Sequence, residues 1–406
     1  MFKEINVPTR TIMTPGPVEA HPVVLRAMSA GILGQFDPEF TRLMGEIQEM
    51  LKEHFQAPNG HTLAVDGSSR SGLEASLLAL IEKGDKVLIP AYGRFAYLLA
   101  EIAERAGGDV VLFEKEWDGP FKQEDVIEKI KEVQPKLVAM VHGETANGQV
   151  QALEQIGQYC QENDVLFMVD MVATFGGMPT KMEEWGVDVA VAGTQKCVSV
   201  PAGMSFVAWG ERADKIIEAR YQKELGLGDD ERNDDFILSN YLDLSQLKRY
   251  WSKSPINHHT EATTLVYGAH TGLRLMLEEG LDNVYARHSL NEKAIVAGVQ
   301  AMGMEMYGDL DTKVVTVNPI LVPEGVDAGA VQSFLLKQFG VEIAGSFGPL
   351  VGKVWRIGNM GYSSRRENVL HVLGAFEAAL IHHGVEVNKG AAVQAALDVY
   401  LEAQNN

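Results

Sequence analysis

The stretch Leu166-Phe167-Met168-Val169-Asp170, followed by Val187-Asp188-Val189-Ala190-Val191-Ala192 and then Gly193-Thr194-Gln195-Lys196, decides the fold. Both apolar runs have the length and composition of strands buried on two faces. The first ends in a carboxylate and the second runs into a lysine. A pyridoxal phosphate site needs that chemistry: an amine to condense with the cofactor's aldehyde, and an acid to keep the pyridine nitrogen protonated. Taken alone, the pair fits two unrelated surface residues equally well.

Working outward, strand and helix patterns alternate from about residue 60 to 210. Strands are predicted at Thr62–Val65, Lys86–Pro90, Asp109–Phe113, Lys136–Val141 and Val165–Asp170. Helices are predicted at Ser71–Glu82, Arg94–Ala106, Gln123–Val133 and Leu153–Asn163. This rhythm argues for an α/β fold with a mostly parallel sheet covered on both faces. Ligands of such sheets gather at the carboxyl ends of the strands, where Asp170 and Lys196 fall. Residues 221–240 are polar and acidic, with Gly226, Gly228 and Asp229-Asp230-Glu231-Arg232, and read as a long excursion. Two long helices follow, at Thr260–Glu279 and Val284–Met302. Sparser strands then appear at Val314–Val317, Val341–Ala344 and Trp355–Ile357. Helices at Ser364–His382 and Lys389–Gln404 close the chain. The expected organisation is an N-terminal segment 1–20, a large domain 21–264 and a smaller α+β domain 265–406. A chain of 406 residues is long for one core.

Lys and Arg number 35 against 55 Asp and Glu, a net charge of −20. That balance disfavours nucleic acid and anionic membranes as partners, while leaving room for a local cationic pocket that takes a small anion. No run of about 18 apolar residues suggests a membrane span, and Met1–Asn6 lacks an apolar signal core. Cys160 and Cys197 make no disulfide framework. A cytoplasmic setting is the expectation.

Several other residues could carry chemistry. Gly67-Ser68-Ser69-Arg70-Ser71-Gly72 joins a strand to a helix, and its small residues let backbone N–H groups approach an anion. An ordinary strand-to-helix turn would look the same. Arg356, in Val354-Trp355-Arg356-Ile357-Gly358, is costly to bury unless it meets an anion, either a substrate carboxylate or a structural partner. Phe95 could stack on a planar cofactor or fill helix core. Adjacent side chains His258 and His259 should diverge, no acidic or cysteine partner is expected beside them, and no metal is expected. Cys197, directly after Lys196, reads as packing.

Together these segments resemble the class V aminotransferases, fold-type I pyridoxal phosphate enzymes, in the alanine/serine–glyoxylate group. The resemblance rests on Thr14-Pro15-Gly16-Pro17, Gly67–Ser71, His142-Gly143-Glu144-Thr145, Val169-Asp170 and Gly193–Lys196. It continues in Asn257-His258-His259-Thr260 and Gly352–Gly358. It implies a seven-stranded sheet, Lys196 as the cofactor lysine and Asp170 as partner of the ring nitrogen. Ser69, Arg70, Ser71 and Gln195 match phosphate contacts, although the family often has Gly-His at the second and third positions of this loop. Phe95 and Val172 match the two faces of the ring, Thr145 a hydroxyl near the cofactor, and Arg356 the carboxylate anchor. It also implies a homodimer with shared sites, in which Asn257 and Thr260 reach the neighbouring subunit's cofactor phosphate. The cysteine desulfurase branch competes poorly, because Gln195 precedes Lys196 and neither cysteine fits a mobile loop.

Two positions depart from the usual alanine–glyoxylate pattern. Gln35, after Gly34, replaces a small residue, and Asn257 replaces a tyrosine. By the resemblance both lie near the substrate entrance. Their amides offer donors and acceptors that alanine's methyl cannot use, and unpaired amides cost roughly 1–3 kcal/mol each on burial. The pattern resembles aminotransferases that take (S)-ureidoglycine as donor and glyoxylate as acceptor in purine catabolism. The two amides could instead bond to each other, to backbone or to phosphate. Alanine or serine as donor, or a non-catalytic cofactor-binding regulator, remain alternatives.

Overall fold

In a computed structural model, residues 2–227 and 233–405 are described. Gly228 and the Asp229–Arg232 run of the predicted excursion lie outside them. The large sheet has seven strands: β1 (His61–Asp66), β2 (Lys86–Ala91), β3 (Asp109–Glu114), β4 (Leu137–Val141), β5 (Leu166–Asp170), β6 (Val189–Gly193) and β7 (Met204–Trp209). Their spatial order is β1-β7-β6-β5-β4-β2-β3. Every pairing is parallel except those of β7, which runs antiparallel to β1 and β6. The four strands β4 to β7 are buried throughout, as the unbroken apolar runs require of strands covered on both faces. Edge strand β3 instead mixes exposed and half-buried positions, with none fully buried.

Helices flank the sheet: α1 (Pro22–Met28), α2 (Pro38–Phe55), α3 (Ser69–Leu80), α4 (Arg94–Arg105), α5 (Gln123–Val133), α6 (Glu154–Glu162), α7 (Glu211–Ala219) and α8 (Leu244–Tyr250). Asp37 caps α2 by accepting from the Glu39 N–H at 2.8 Å, with Pro38 in the first turn. Helix α9 (Thr263–Glu279) packs on α1 and α2, and Val266, Leu273 and Met276 join the core of the large sheet.

A second core forms beyond it. An antiparallel sheet of β8 (Val317–Leu321), β9 (Ala344–Gly345) and β10 (Val354–Gly358) packs with α10 (Leu281–Ala301), α11 (Ala328–Phe334), α12 (Arg366–His382) and α13 (Ala391–Asn405). Ile295, Ile320, Trp355, Ile357 and Phe376 are fully buried there. The strand predicted at Val314–Val317 instead begins at Val317 and runs through Pro319. Strand β8 lies at the sheet edge, where a proline need not donate to a ladder. The N-terminal segment is tied across this unit: Thr11–Ile12 pairs with Val341–Glu342, and the Gly358 N–H donates to the Met13 carbonyl at 2.8 Å. No described helix is long and apolar enough to cross a membrane.

Candidate active site

The carboxyl ends of β1, β2, β4, β5 and β6 open on one cavity of about 320 Å³, within the usual range for small-molecule sites. Each strand end delivers one part of its wall. Ser69 follows β1, Phe95 follows β2, Thr145 follows β4, Asp170 ends β5, and Gln195 and Lys196 follow β6. Arg70, Val172, Gly16 and Pro17 complete the wall used below.

Lys196 is pressed against the N-terminal segment, and its Nζ donates to the Pro15 carbonyl. Gly16 sits at φ +101°, a backbone region that favours glycine, and a Cβ there would come within 2.5 Å of Nζ. Burial pushes the Lys196 amine down to about 8, and Arg356 adds repulsion in the same direction. Cys197, Asp170 and Glu144 oppose the shift. Burial pushes Asp170 up to about 6, while the Val172 N–H, 2.9 Å from Oδ1, and the charge of Lys196 hold it down. The carboxylate therefore stays ionised at neutral pH and can hold a proton on a ring nitrogen. The lysine, a fair fraction of it neutral, can act as a nucleophile.

At the β1 end, helix α3 begins at Ser69, and its N-terminal turn faces the cavity. The Gln195 Nε2 donates to Ser69 Oγ at 2.8 Å, and Gln195 Oε1 is buried without a partner. A helix N-terminus with a hydroxyl and an amide beside it suits a phosphate. Arg70 is exposed at the cavity mouth. Ser71 is placed differently from the expectation: its hydroxyl turns back to the Ser68 carbonyl at 2.9 Å, and it does not line the cavity.

Arg356, on β10, is 5% exposed. Its Nε donates to the Gly345 carbonyl at 2.7 Å and its Nη1 to the Thr145 carbonyl at 2.9 Å. Neither acceptor is charged, and among the described residues no carboxylate forms a direct ion pair with the guanidinium, although the Glu144 charge acts on it at longer range. Its face lies 4.7 Å from the Phe347 ring, which meets Phe95 edge-on at 6.2 Å. Arginine, aromatic wall and strand end form one packed unit.

Glu144 belongs to the site as well, although its local sequence gives it no role. It is fully buried, and its two oxygens accept from the Phe95 and Ala146 N–H groups, each at 2.8 Å. Gly93 makes room for it, since a Cβ there would lie 2.1 Å from Glu144 Cγ. Burial pushes this carboxyl up to about 7. His142 is buried against Thr174 and pushed down to about 3, so it is neutral and structural. Cys197 is buried and pushed up to about 12, in keeping with packing.

The remaining expected residues are not at this cavity. Gly34, Asn257 and Thr260 are exposed. Gln35 Nε2 donates to Asn257 Oδ1 at 3.0 Å, so two residues far apart in sequence meet, and Gln35 Oε1 has no partner. The expectation that no acid accompanies the His258-His259 pair is overturned. The rings do diverge, at 88°, yet Asp66 and Glu261 both converge on His259. Asp66 is distant in sequence and only folding brings it there, whereas Glu261 stands two residues on, within reach of a local reading.

The sheet, the strand-end lysine and aspartate, and the buried arginine define a pyridoxal phosphate enzyme of the aminotransferase type. The profile of the family described as Aminotransferase class-V matches residues 27–359, and the chain belongs to that family of pyridoxal phosphate-dependent aminotransferases. It is 52% identical to the (S)-ureidoglycine–glyoxylate transaminase of Bacillus subtilis, over 99% of this chain and 98% of that one. It is 33% identical to the alanine–glyoxylate aminotransferase of Callithrix jacchus over 94% and 90% of the two chains. The crystal structure of ureidoglycine–glyoxylate aminotransferase from Bacillus subtilis superposes with a TM-score of 0.93, covering 98% of this chain and 100% of that one.

Proposed function

We propose that this enzyme moves the amino group of (S)-ureidoglycine to glyoxylate, giving oxalurate and glycine, in a homodimer with shared active sites in the cytoplasm. The observation that carries the donor assignment is the Gln35–Asn257 amide pair. Among the described residues, their mutual bond leaves the buried Gln35 Oε1 and the exposed Asn257 N–H donors without a protein partner. A ureido group offers the complementary N–H donors and carbonyl. Alanine and serine offer no such pairing, and a site whose amides must be paired by the substrate discriminates against one that lacks the matching groups. The end-to-end identity to a ureidoglycine transaminase supports the same reading.

The cofactor, when bound, supplies a carbonyl carbon that exchanges amine for oxygen and a ring that accepts electrons from the substrate. The protein does the rest. Arg356 anchors the substrate carboxylate with the nitrogen it does not spend on backbone carbonyls. Lys196 Nζ would take the proton from the substrate Cα and return one in the second half-reaction. Asp170 holds the ring nitrogen's proton. Ser69, Arg70 and Gln195 would hold the phosphate, and Phe95 and Val172 would flank the ring. Thr145 carries a hydroxyl close by. Asn257 and Thr260, exposed on their own chain, contact the neighbouring subunit's phosphate.

A donor panel of ureidoglycine made in situ, alanine and serine, with glyoxylate as acceptor, tests the assignment. Ureidoglycine should give the highest kcat/KM by roughly tenfold or more. Preference for alanine would overturn it. Asn257→Tyr should move the preference toward alanine; an unchanged ratio removes Asn257 from donor recognition.

A further inference from the structure

Below the exposed Asn257–Thr260 segment lies a second cluster, separate from the cavity. Asp66 ends β1, directly before the Gly67-Ser68 loop. His259 and Glu261 follow Asn257. One ligand atom from each of the three lies within 4.8 Å of the others. His259 Nε2 is 3.5 Å from Asp66 Oδ2 and 3.6 Å from Glu261 Oε2. Asp66 Oδ1, His259 Nε2 and Glu261 Oε2 are all buried, and among the described residues none of them has a hydrogen-bond partner. Glu261 is 4% exposed. Among the described residues no Lys or Arg pairs with either carboxylate.

The tautomers follow from one fixed point. The Asn240 carbonyl can only accept, so His258 Nε2, 3.1 Å away, carries a proton and donates to it. In a neutral His258 this leaves Nδ1 as acceptor. His259 Nδ1 lies 2.8 Å from it and must donate. In its neutral form His259 presents the bare lone pair of Nε2 to two carboxylates; their pull outweighs burial and raises the ring to about 9, so a proton on Nε2 competes for this place. Three electron-rich groups facing one another without a cation are unstable, and only a proton or a metal ion can relieve them.

The distances favour the metal. A proton on Nε2 would draw one carboxylate to about 2.8 Å, and neither is that close. Ligand atoms about 2.1 Å from a tetrahedral zinc ion stand roughly 3.4 Å from one another, which matches 3.5 and 3.6 Å. The outer contacts also match a metal site: His258 orients His259 through its other ring nitrogen, and the Tyr241 hydroxyl donates to Asp66 Oδ2 at 3.1 Å.

We propose that Asp66, His259 and Glu261 bind a divalent cation of the zinc class, with water in the fourth position. The ion staples the strand end that leads into the phosphate loop to the segment that bears Asn257 and Thr260. This inference does not depend on which amino donor the enzyme prefers.

The test uses the full-length, cofactor-loaded enzyme, freed of any affinity tag and stripped with EDTA. Zn²⁺ is titrated calorimetrically, and bound metal is counted by mass spectrometry after gel filtration. A single Zn²⁺ per chain is expected, with a raised thermal midpoint. Glu261→Gln and Asp66→Asn, both near-isosteric, should each weaken binding by ~100-fold or more. Their unloaded thermal midpoints check that they fold. Failure of the wild type to retain zinc overturns the proposal and leaves a protonated His259 in its place. Unaltered zinc binding in both folded variants overturns it as well.

Discussion

Shifting the protonation of Lys196 should change the rate at which the apoenzyme takes up its cofactor. Only the neutral amine attacks an aldehyde. With an ordinary value of 10.5, about one lysine in 3,000 is neutral at pH 7; with the value lowered to about 8, about one in eleven is. The site should therefore react roughly 300-fold faster than an unperturbed lysine held in the same geometry. The rate should climb tenfold per pH unit below about 8 and level off above it. Burial is the main cause, and the charge of Arg356 is the next. Removing that charge relieves repulsion of the ammonium, so Arg356→Gln should move the bend to higher pH, and no substrate is present to confuse the reading. Stopped-flow absorbance of apoenzyme mixed with pyridoxal phosphate, between about pH 6 and 10, measures it. Lys196→Ala serves as the blank, and a free amine corrects for the cofactor's own ionisation. A rate that keeps rising tenfold per unit beyond pH 9 would refute the reasoning, as would an Arg356→Gln bend that moved down. Stability carries the same sign: between about 8 and 10.5 the unfolded lysine binds more proton than the folded one, so this group makes the apoenzyme more stable as pH rises through that window.

Glu144→Gln keeps an acceptor for only one of the two amides it now serves, at Phe95 and Ala146. The orphaned amide should cost about 1–3 kcal/mol and lower the thermal midpoint by a few degrees; an unchanged midpoint would mean the second bond contributes nothing. Arg356→Lys loses the planar fork that serves the Gly345 and Thr145 carbonyls. It should lower kcat/KM for both substrates by about tenfold or more with cofactor content intact, and loss of the cofactor itself would relocate its role. Cys160 and Cys197 are buried with thiols pushed up to about 12, so iodoacetamide at neutral pH should leave activity unaltered in the folded enzyme. Rapid inactivation that tracks labelling of Cys197 would contradict that.

The parts of the site legible in the sequence are those set by local pattern. An apolar run of five residues predicts a buried strand, and the next polar residue falls at its carboxyl end. Local pattern thus puts Asp170 and Lys196 at one edge, since parallel strands bring their ends together, while the places of Ser69 and Phe95 in the site rested on the resemblance. The antiparallel strand β7 cannot be told from its neighbours in this way, because an all-buried strand shows no alternation that betrays direction. Ser71 looks equivalent to Ser69 along the chain, yet the turn of α3 aims one hydroxyl into the cavity and the other back at Ser68.

By itself, then, the sequence determined the alternating α/β architecture, because strand periodicity is a property of a few consecutive residues, while the reaction type came from the resemblance of its motifs to the class V aminotransferases. Tertiary structure alone decided which distant groups touch. It laid Pro15 and Gly16 over the Lys196 amine, buried Glu144 between two amides, joined Gln35 to Asn257 and turned Asp66 toward His259. Those contacts join residues from separate elements. Their distances are fixed by how helices and sheets pack, and no periodicity along the chain encodes them.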